Sequence, residues 1–434
     1  MKQLTRLFIP ICLETLFYML SGMVDTLMLS AVGDYAVGAV GTANSYIGIF
    51  IIMFSIISSG MVSVMTQNIG AGRPGVAYQA RQLGLLFNAV AGVLMAVFLF
   101  SGAGAILRMV GIADALYEPA LIYLKIVGGG CILNAVIPIF SSYLRAFGYT
   151  KQPLYATIVG NIANFVMNAV FLFVLHTGVA GVAAATVISK ILNLCIVLYF
   201  SHKLISAKNS TERIANKTVL GQIVKVGLPS ACETALYNVA MMLVIRFLNQ
   251  MDAEGLNVTA RSYTATISNF SYCVGAALAQ ANAIMTGWHI GAGELEECDR
   301  GTKRAAFVGV CVAVCMETAI VLGSGFIMPL FTDNPEMTAL VRKLLAIDIV
   351  LEIGRVTNLV FGQALKTSGD AVFPAVIAAV FMFVFAVGGT WLFGISMGLM
   401  AVGAYIGLAS DECVRAVGMV WRWKTGKWRT KKLV

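Results

Sequence analysis

Apolar residues run along this chain in long blocks parted by short polar gaps, and the pattern recurs from one end to the other. A helix needs roughly 20 residues to cross about 30 Å of hydrocarbon, and twelve blocks reach that length. The first six cover approximately 7–31, 44–68, 83–107, 119–144, 153–175 and 179–202. The second six cover approximately 220–249, 262–288, 305–330, 338–365, 371–395 and 398–421. The pattern predicts an all-α polytopic membrane protein with 12 transmembrane helices. An even number of spans returns both termini to the same side.

Composition strengthens this reading. Only 12% of the 434 residues are charged and 59% are hydrophobic, with a mean hydropathy of +0.85. Soluble domains carry roughly 25% charged residues, so this chain cannot dress the surface of a water-soluble globule of its length. The 43 glycines suit helices that approach one another closely in lipid. The net charge of +9 raises nucleic acid as a partner, but the charges sit in the gaps between apolar blocks and in a basic tail, Trp421 to Lys432. That is the distribution of cytoplasmic membrane loops, and it excludes nucleic-acid binding as the reading.

Loop charge also sets the orientation. With both termini in the cytoplasm, roughly 21 of the 30 Lys and Arg fall on that face, among them Arg73, Arg81, Arg145, Lys151, Lys208, Arg213, Lys217, Arg300, Lys303 and Arg304. About five, including Arg108, Arg261 and Lys343, fall on the other. The expected location is therefore the cell membrane, multi-pass. The first apolar block carries Glu14 and Asp25 and is followed by many others, so it reads as a span and not as a cleaved signal. Nine scattered cysteines with no CxxC pair read as small buried apolar residues.

The two halves repeat each other. Pro10, Glu14 and Thr15 correspond to Pro229, Glu233 and Thr234; Ile69 to Gly72 correspond to Ile290 to Gly293. Leu144 to Gly148 correspond to Leu365 to Gly369, and Gly178 to Gly398. The offset stays at about 219–221 residues, and six spans per repeat place both halves in the same orientation, related by an axis along the membrane normal. The expected organisation is a six-helix lobe over 1–202, a cytoplasmic connector over 203–219, and a second six-helix lobe over 220–434 that includes the basic tail.

These landmarks resemble the multidrug and toxic compound extrusion (MATE) family. They are Pro10 and Asp25 in "GMVDT", "QNIGAG" closing the second span, "NIANFVMNAVFLF" in the fifth, "GVAGVAAATVIS" opening the sixth, and their repeats in the second half. The resemblance covers essentially the whole chain. It implies two lobes around a central cleft and a secondary antiporter that exports organic cations or amphipathic drugs in exchange for H⁺ or Na⁺, without enzymatic activity or a cofactor. The expected partners are those small molecules and the lipid bilayer, and the chain is expected to work as a monomer. A lipid-linked saccharide flippase of the same superfamily is the alternative.

Ionisable groups inside the membrane cost at least ~2.5–3.5 kcal/mol to insert, which makes each a functional candidate. The resemblance makes Asp25 the coupling acid, with Asn164, Asn168 and Thr186 matching the other ligands of relatives that bind Na⁺ in the first lobe; no metal beyond that ion is expected. Those relatives carry an acid where Asn168 stands, so one negative charge is missing here. Asn161 joins Asn164 and Asn168 in a polar stripe. Glu14 shares a helix face with Asp25 and either lines the inner cleft or snorkels. In the second lobe Glu233 is a coupling candidate. Asp348, Glu352 and Arg355 share a face of the tenth span, and two readings of Glu352 and Arg355 stand, ion coupling or a pair that holds the lobe together. Arg246, Glu317, Lys190 and the group Asp411, Glu412 and Arg415 read as structural. Pro10 and Pro229 each remove a helical hydrogen bond and are hinge candidates. No HExxH and no phosphate-binding glycine loop with a Lys-Ser or Lys-Thr ending occurs, which argues against a membrane metalloprotease and against ATP-driven transport.

Overall fold

A computed structural model describes residues 2–205, 212–252 and 255–434. Residues 206–211, part of the expected connector with Lys208, lie outside the described residues, as does Met1. Among the described residues there is no β-strand. The helices are α1 (Lys2–Ser30), α2 (Asp34–Gly70), α3 (Pro74–Val110), α4 (Asp114–Gly129), α5 (Cys131–Ala146), α6 (Lys151–Ala169), α7 (Gly178–Leu204), α8 (Asn216–Met251), α9 (Leu256–Ala292), α10 (Leu295–Ile327), α11 (Pro335–Thr367), α12 (Val372–Phe381) and α13 (Met400–Lys424).

Every expected span has its helix, and most helices run past their apolar blocks at one or both ends. Among the described residues eight helical segments are long and apolar enough to cross a membrane, and α4 with α5, bent by 42°, make a ninth if taken as one span. α9, α11 and α13 have ample length, 37, 33 and 25 residues, but carry the polar groups of the site below. The block at 119–144 is thus a broken helix. Its break lies at Gly128-Gly129-Gly130, where no side chain stiffens the backbone and Gly130 leaves helical geometry (φ −84°, ψ 10°). The fifth and eleventh spans share another irregularity: α6 continues into a π-helical turn at Val170–Val174, and α12 into π-helical turns at Met382–Val387 and Thr390–Ser396.

The surface is inverted relative to a soluble protein. On α10 Phe326 is 88% exposed and Leu322 73%, whereas Glu317 on the same helix is fully buried. Apolar side chains facing outward and a carboxylate facing inward is the arrangement that lipid stabilises.

The chain forms two compact units. One comprises Ile9–Gly227; the other comprises Leu228–Val434 together with Met1–Phe8. The division falls inside α8, after the 203–219 connector. In the first unit α1 to α7 enclose a core around Phe54, Leu99, Leu107 and Leu124. There α2 and the start of α8 touch backbone to backbone: a Cβ on Gly60 would overlap the Ile223 carbonyl, and one on Gly227 the Ile56 carbonyl. In the second unit α8 to α11 and α13 pack around Val244, Leu248, Leu344 and Leu345.

The repeated motifs are turns. Gly72 and Gly293 end α2 and α9 with φ of 75° and 79°; Gly148 and Gly369 follow α5 and α11 with φ of 84° and 97°. Left-handed backbone of this kind favours glycine, which explains why these residues recur at one offset. The basic tail is folded back on the turn after α11. Arg422 pairs with Asp370 (Nε–Oδ2 2.7 Å), Trp428 stacks on Trp423 with ring centroids 4.2 Å apart, and the Trp423 indole N–H donates to Asp299 Oδ1 at 2.7 Å. Pro10 and Pro229 lie within α1 and α8, and both helices continue through them.

Candidate functional site

In the first unit the polar groups converge from five helices. Asn168, fully buried at the end of α6, donates through Nδ2 to Asp25 Oδ1 on α1 at 2.8 Å and to Asn164 Oδ1 one turn back at 3.2 Å. Its own Oδ1 is buried and meets no hydrogen-bond partner among the described residues. Thr186 on α7 donates to the Val182 carbonyl. The buried Tyr123 of α4 lies beside it and beside Asn44 of α2. Asn168 therefore joins Asp25 to Asn164, whereas Thr186 bonds within its own helix and neighbours Tyr123. Asn161 separates from the stripe and donates to the Phe17 carbonyl of α1 at 3.0 Å.

Lys190, read from the sequence as a lone structural charge, belongs to this site. It lies in the middle of α7, donates to Asn134 Oδ1 at 2.8 Å, and acts electrostatically on Asp25. Its position near a carboxylate was hidden because the two are on different helices. The result is a partly buried acid held by an amide, with a cation nearby and hard oxygen donors around it. Such an acid can accept a proton or help bind a small cation.

Glu14 does not snorkel freely. Arg145 at the end of α5 binds its Oε1 at 2.6 Å, and the Thr157 hydroxyl lies 3.5 Å away. The second unit repeats the pair, for Lys366 at the end of α11 binds Glu233 Oε2 at 2.8 Å. Acid and base occupy corresponding positions of the two repeats, so each unit neutralises its own glutamate.

The second unit also encloses a cavity of about 470 Å³. Its wall carries four acids, Glu233, Asp348, Asp411 and Glu412, and four bases, Arg261, Arg355, Lys366 and Arg415, among Tyr237, Tyr272, Tyr405 and apolar side chains. Arg355 pairs with Glu352 and lies 3.8 Å from Glu412. Arg415 binds Asp411 Oδ2 and Glu412 Oε1, each at 2.7 Å, and Asn358 donates to Glu412 Oε2 at 3.1 Å. The Asp411, Glu412 and Arg415 group is thus part of a ligand-accessible wall. Asp348, Glu352 and Arg355 do share one face as expected. Glu317 of α10 joins Asp348 and Glu352, with oxygens of all three within 4.8 Å of one another. Sequence spacing within α11 could reveal the first three; the approach of Glu317 from another helix leaves no such signal.

Comparison with known proteins follows from this geometry. The family model described as MatE matches residues 10–170 and again 229–392, one match per repeat. The chain is 32% identical over 428 residues to the uncharacterized transporter YisQ of Bacillus subtilis (strain 168), covering 97% of this chain and 94% of that protein. It is 20% identical over 446 residues to the probable multidrug resistance protein NorM of Thermotoga maritima, covering 100% and 94%. The crystal structure of MATE in the bent conformation superposes with a TM-score of 0.86 at 20% identity, over 99% of this chain and 96% of that one.

Proposed function

We propose a function from one premise: this chain belongs to the MatE family, and is a multi-pass membrane transporter. It is a secondary antiporter that exports organic cations or amphipathic compounds in exchange for H⁺ or Na⁺, acting as a monomer with both termini in the cytoplasm. The observation that supports the coupling assignment is the Asn168 amide of the first unit, which donates both to Asp25 and to Asn164.

The mechanism follows from the charge of that carboxylate. With Asp25 ionised, the Asn168 amide and the field of Lys190 hold the negative charge. A proton or Na⁺ bound there neutralises it and lowers the cost of the conformation in which the surrounding helices close. Ion and exported compound need no contact with each other. Each must bind two conformations with different affinity, because a ligand with equal affinity for both shifts nothing.

The test is transport of a fluorescent organic cation in proteoliposomes under a proton gradient and, separately, a sodium gradient. At least one gradient drives efflux in the wild type, and Asp25→Asn abolishes it while the protein still inserts. Efflux at the wild-type rate in Asp25→Asn vesicles refutes this assignment. A lipid-linked saccharide flippase is the second reading, favoured by Arg261, Arg355, Lys366 and Arg415 on the cavity wall. The equal number of carboxylates on the same wall favours the antiporter, and growth rescue of a flippase-deficient strain distinguishes the two.

A further inference from the structure

We propose that the folded C-terminal tail carries a binding site for the headgroups of anionic phospholipids, formed by Lys424, Lys427, Lys431 and Lys432 beside Trp421. The site is independent of the exported compound and of the coupling ion.

Two helices mark where the lipid boundary falls. On α13, Val417, Trp421 and Lys424 follow one another at spacings of four and three, which places them on one stripe of the helix. Val417 is 70% exposed and Trp421 58%, and Lys424 is exposed too. An apolar side chain, an indole and an ammonium in that order are what a helix presents as it leaves hydrocarbon and enters the headgroups. The start of α12 lies beside it. Val380, Val376 and Val372 form one stripe, each more than half exposed, and the Phe373 ring is centred 6.2 Å from that of Trp421. Both helices therefore meet the headgroups at the same corner of the second unit.

The tail brings its lysines to that corner and fixes them there. After α13 it makes a short turn at Lys427–Thr430 and buries Trp428 and Leu433. It then passes so close to the turn before α12 that a Cβ on Gly369 would stand 2.3 Å from the Lys431 carbonyl oxygen. Gly369 precedes Val372 by three residues, so the backbone of Lys431 and Lys432 runs at the level where α12 enters lipid. The tryptophan stack and the Arg422 pair described above hold the tail down, and Arg429 adds a bond to Glu296 Oε1 at 2.7 Å. Lysines on a backbone already ordered lose less freedom on binding than lysines on a loose loop.

Charge names the partner. No acidic residue follows Glu412 in the chain. The carboxylates that the tail meets, on α10 and in the turn after α11, are taken by other bases: Glu296 by Arg429, Asp299 by Lys303 and Asp370 by Arg422. Lys424, Lys427, Lys431 and Lys432 are exposed, and none has an ion pair among the described residues. Four uncommitted ammonium groups within nine residues, next to an interfacial indole, suit an anion that the interface itself supplies. Lipid phosphates stand at that depth in high density, well within the roughly 8 Å over which exposed charges attract at physiological salt.

The experiment titrates phosphatidylglycerol, with phosphatidylcholine as the reference, into the purified full-length protein in a neutral detergent and counts bound lipid by native mass spectrometry. Phosphatidylglycerol is expected to bind on the order of tenfold more tightly than phosphatidylcholine. Lys424→Gln, Lys427→Gln, Lys431→Gln and Lys432→Gln together weaken it by about fivefold for each lysine lost, whereas replacing the same four with Arg preserves the preference. All four side chains are exposed, so neither variant removes a packed group. As a control, Lys151→Gln with Lys217→Gln removes two exposed lysines of the first unit and leaves the affinity unchanged. Equal affinity for the two lipids, or wild-type affinity in the protein with four Gln replacements, overturns the proposal. So does an equal loss per lysine in the control, which would show that basic charge acts wherever it stands, with no site on the tail.

Discussion

Replacing Asn168 with Asp puts a second carboxylate where a donating amide now stands 2.8 Å from Asp25 Oδ1. The MATE relatives that bind Na⁺ in this lobe carry an acid at the matching position, so the substitution restores the missing charge. Two unit charges about 4 Å apart interact by about 4 kcal/mol at an effective dielectric constant of 20, and a cation between the two carboxylates gains an attraction of that order. Part of it is offset, because the empty pair repels itself and takes up a proton instead, and the amide's hydrogen bond to Asp25 is lost. A net gain on the order of 1.4–2.8 kcal/mol remains, or ten- to a hundredfold tighter Na⁺ binding. The measurement is the Na⁺ concentration that half-saturates efflux in proteoliposomes, with radiolabelled sodium binding as the check at equilibrium. Half-saturation unchanged in a folded, inserted Asn168→Asp protein would falsify the argument that Asp25 and Asn168 face one ion.

Two further predictions concern the scaffold. Glu14→Gln or Arg145→Met alone should destabilise the protein by about 3 kcal/mol, because each removes one partner of a partly buried ion pair. The double variant should lose less than the sum, with a coupling of ~1 kcal/mol or more in thermal unfolding; the same holds for Glu233→Gln and Lys366→Met, and additive losses would show that the pairs do not stabilise their units. Gly227→Ala or Gly60→Ala should lower stability by about 1–3 kcal/mol, since the added methyl meets a carbonyl of the facing helix; a melting temperature equal to wild type would argue against that close crossing.

The spans were legible in the sequence because one property, apolar length, decides them. The repeat was legible because its conserved offset marks turns such as Gly72 and Gly293, where backbone conformation dictates the residue. The break at Gly130 was not, since the apolar block runs through it without a polar gap. Asp25, Asn164 and Asn168 could be linked through family resemblance, and the structure brings them together. Tyr123 and Asn44 had no signal, being ordinary polar residues whose relevance depends on which helix they face. Lys190, Glu317 and the Asp411, Glu412 and Arg415 group were discounted because each was judged on its own helix. Whether a buried charge is structural depends on its partners across the bundle, and one-dimensional spacing does not encode those.

The two units exchange their beginnings. Residues 2–8 fold with the second repeat, while the corresponding start of α8, up to Gly227, folds with the first, and each crossover comes just ahead of a proline, Pro10 or Pro229. Severing the polypeptide in its connector would leave each fragment carrying a piece of its neighbour's fold and missing a piece of its own, as in a domain-swapped dimer. Neither fragment would be complete by itself, whereas the two produced together would hold every segment that both bundles require.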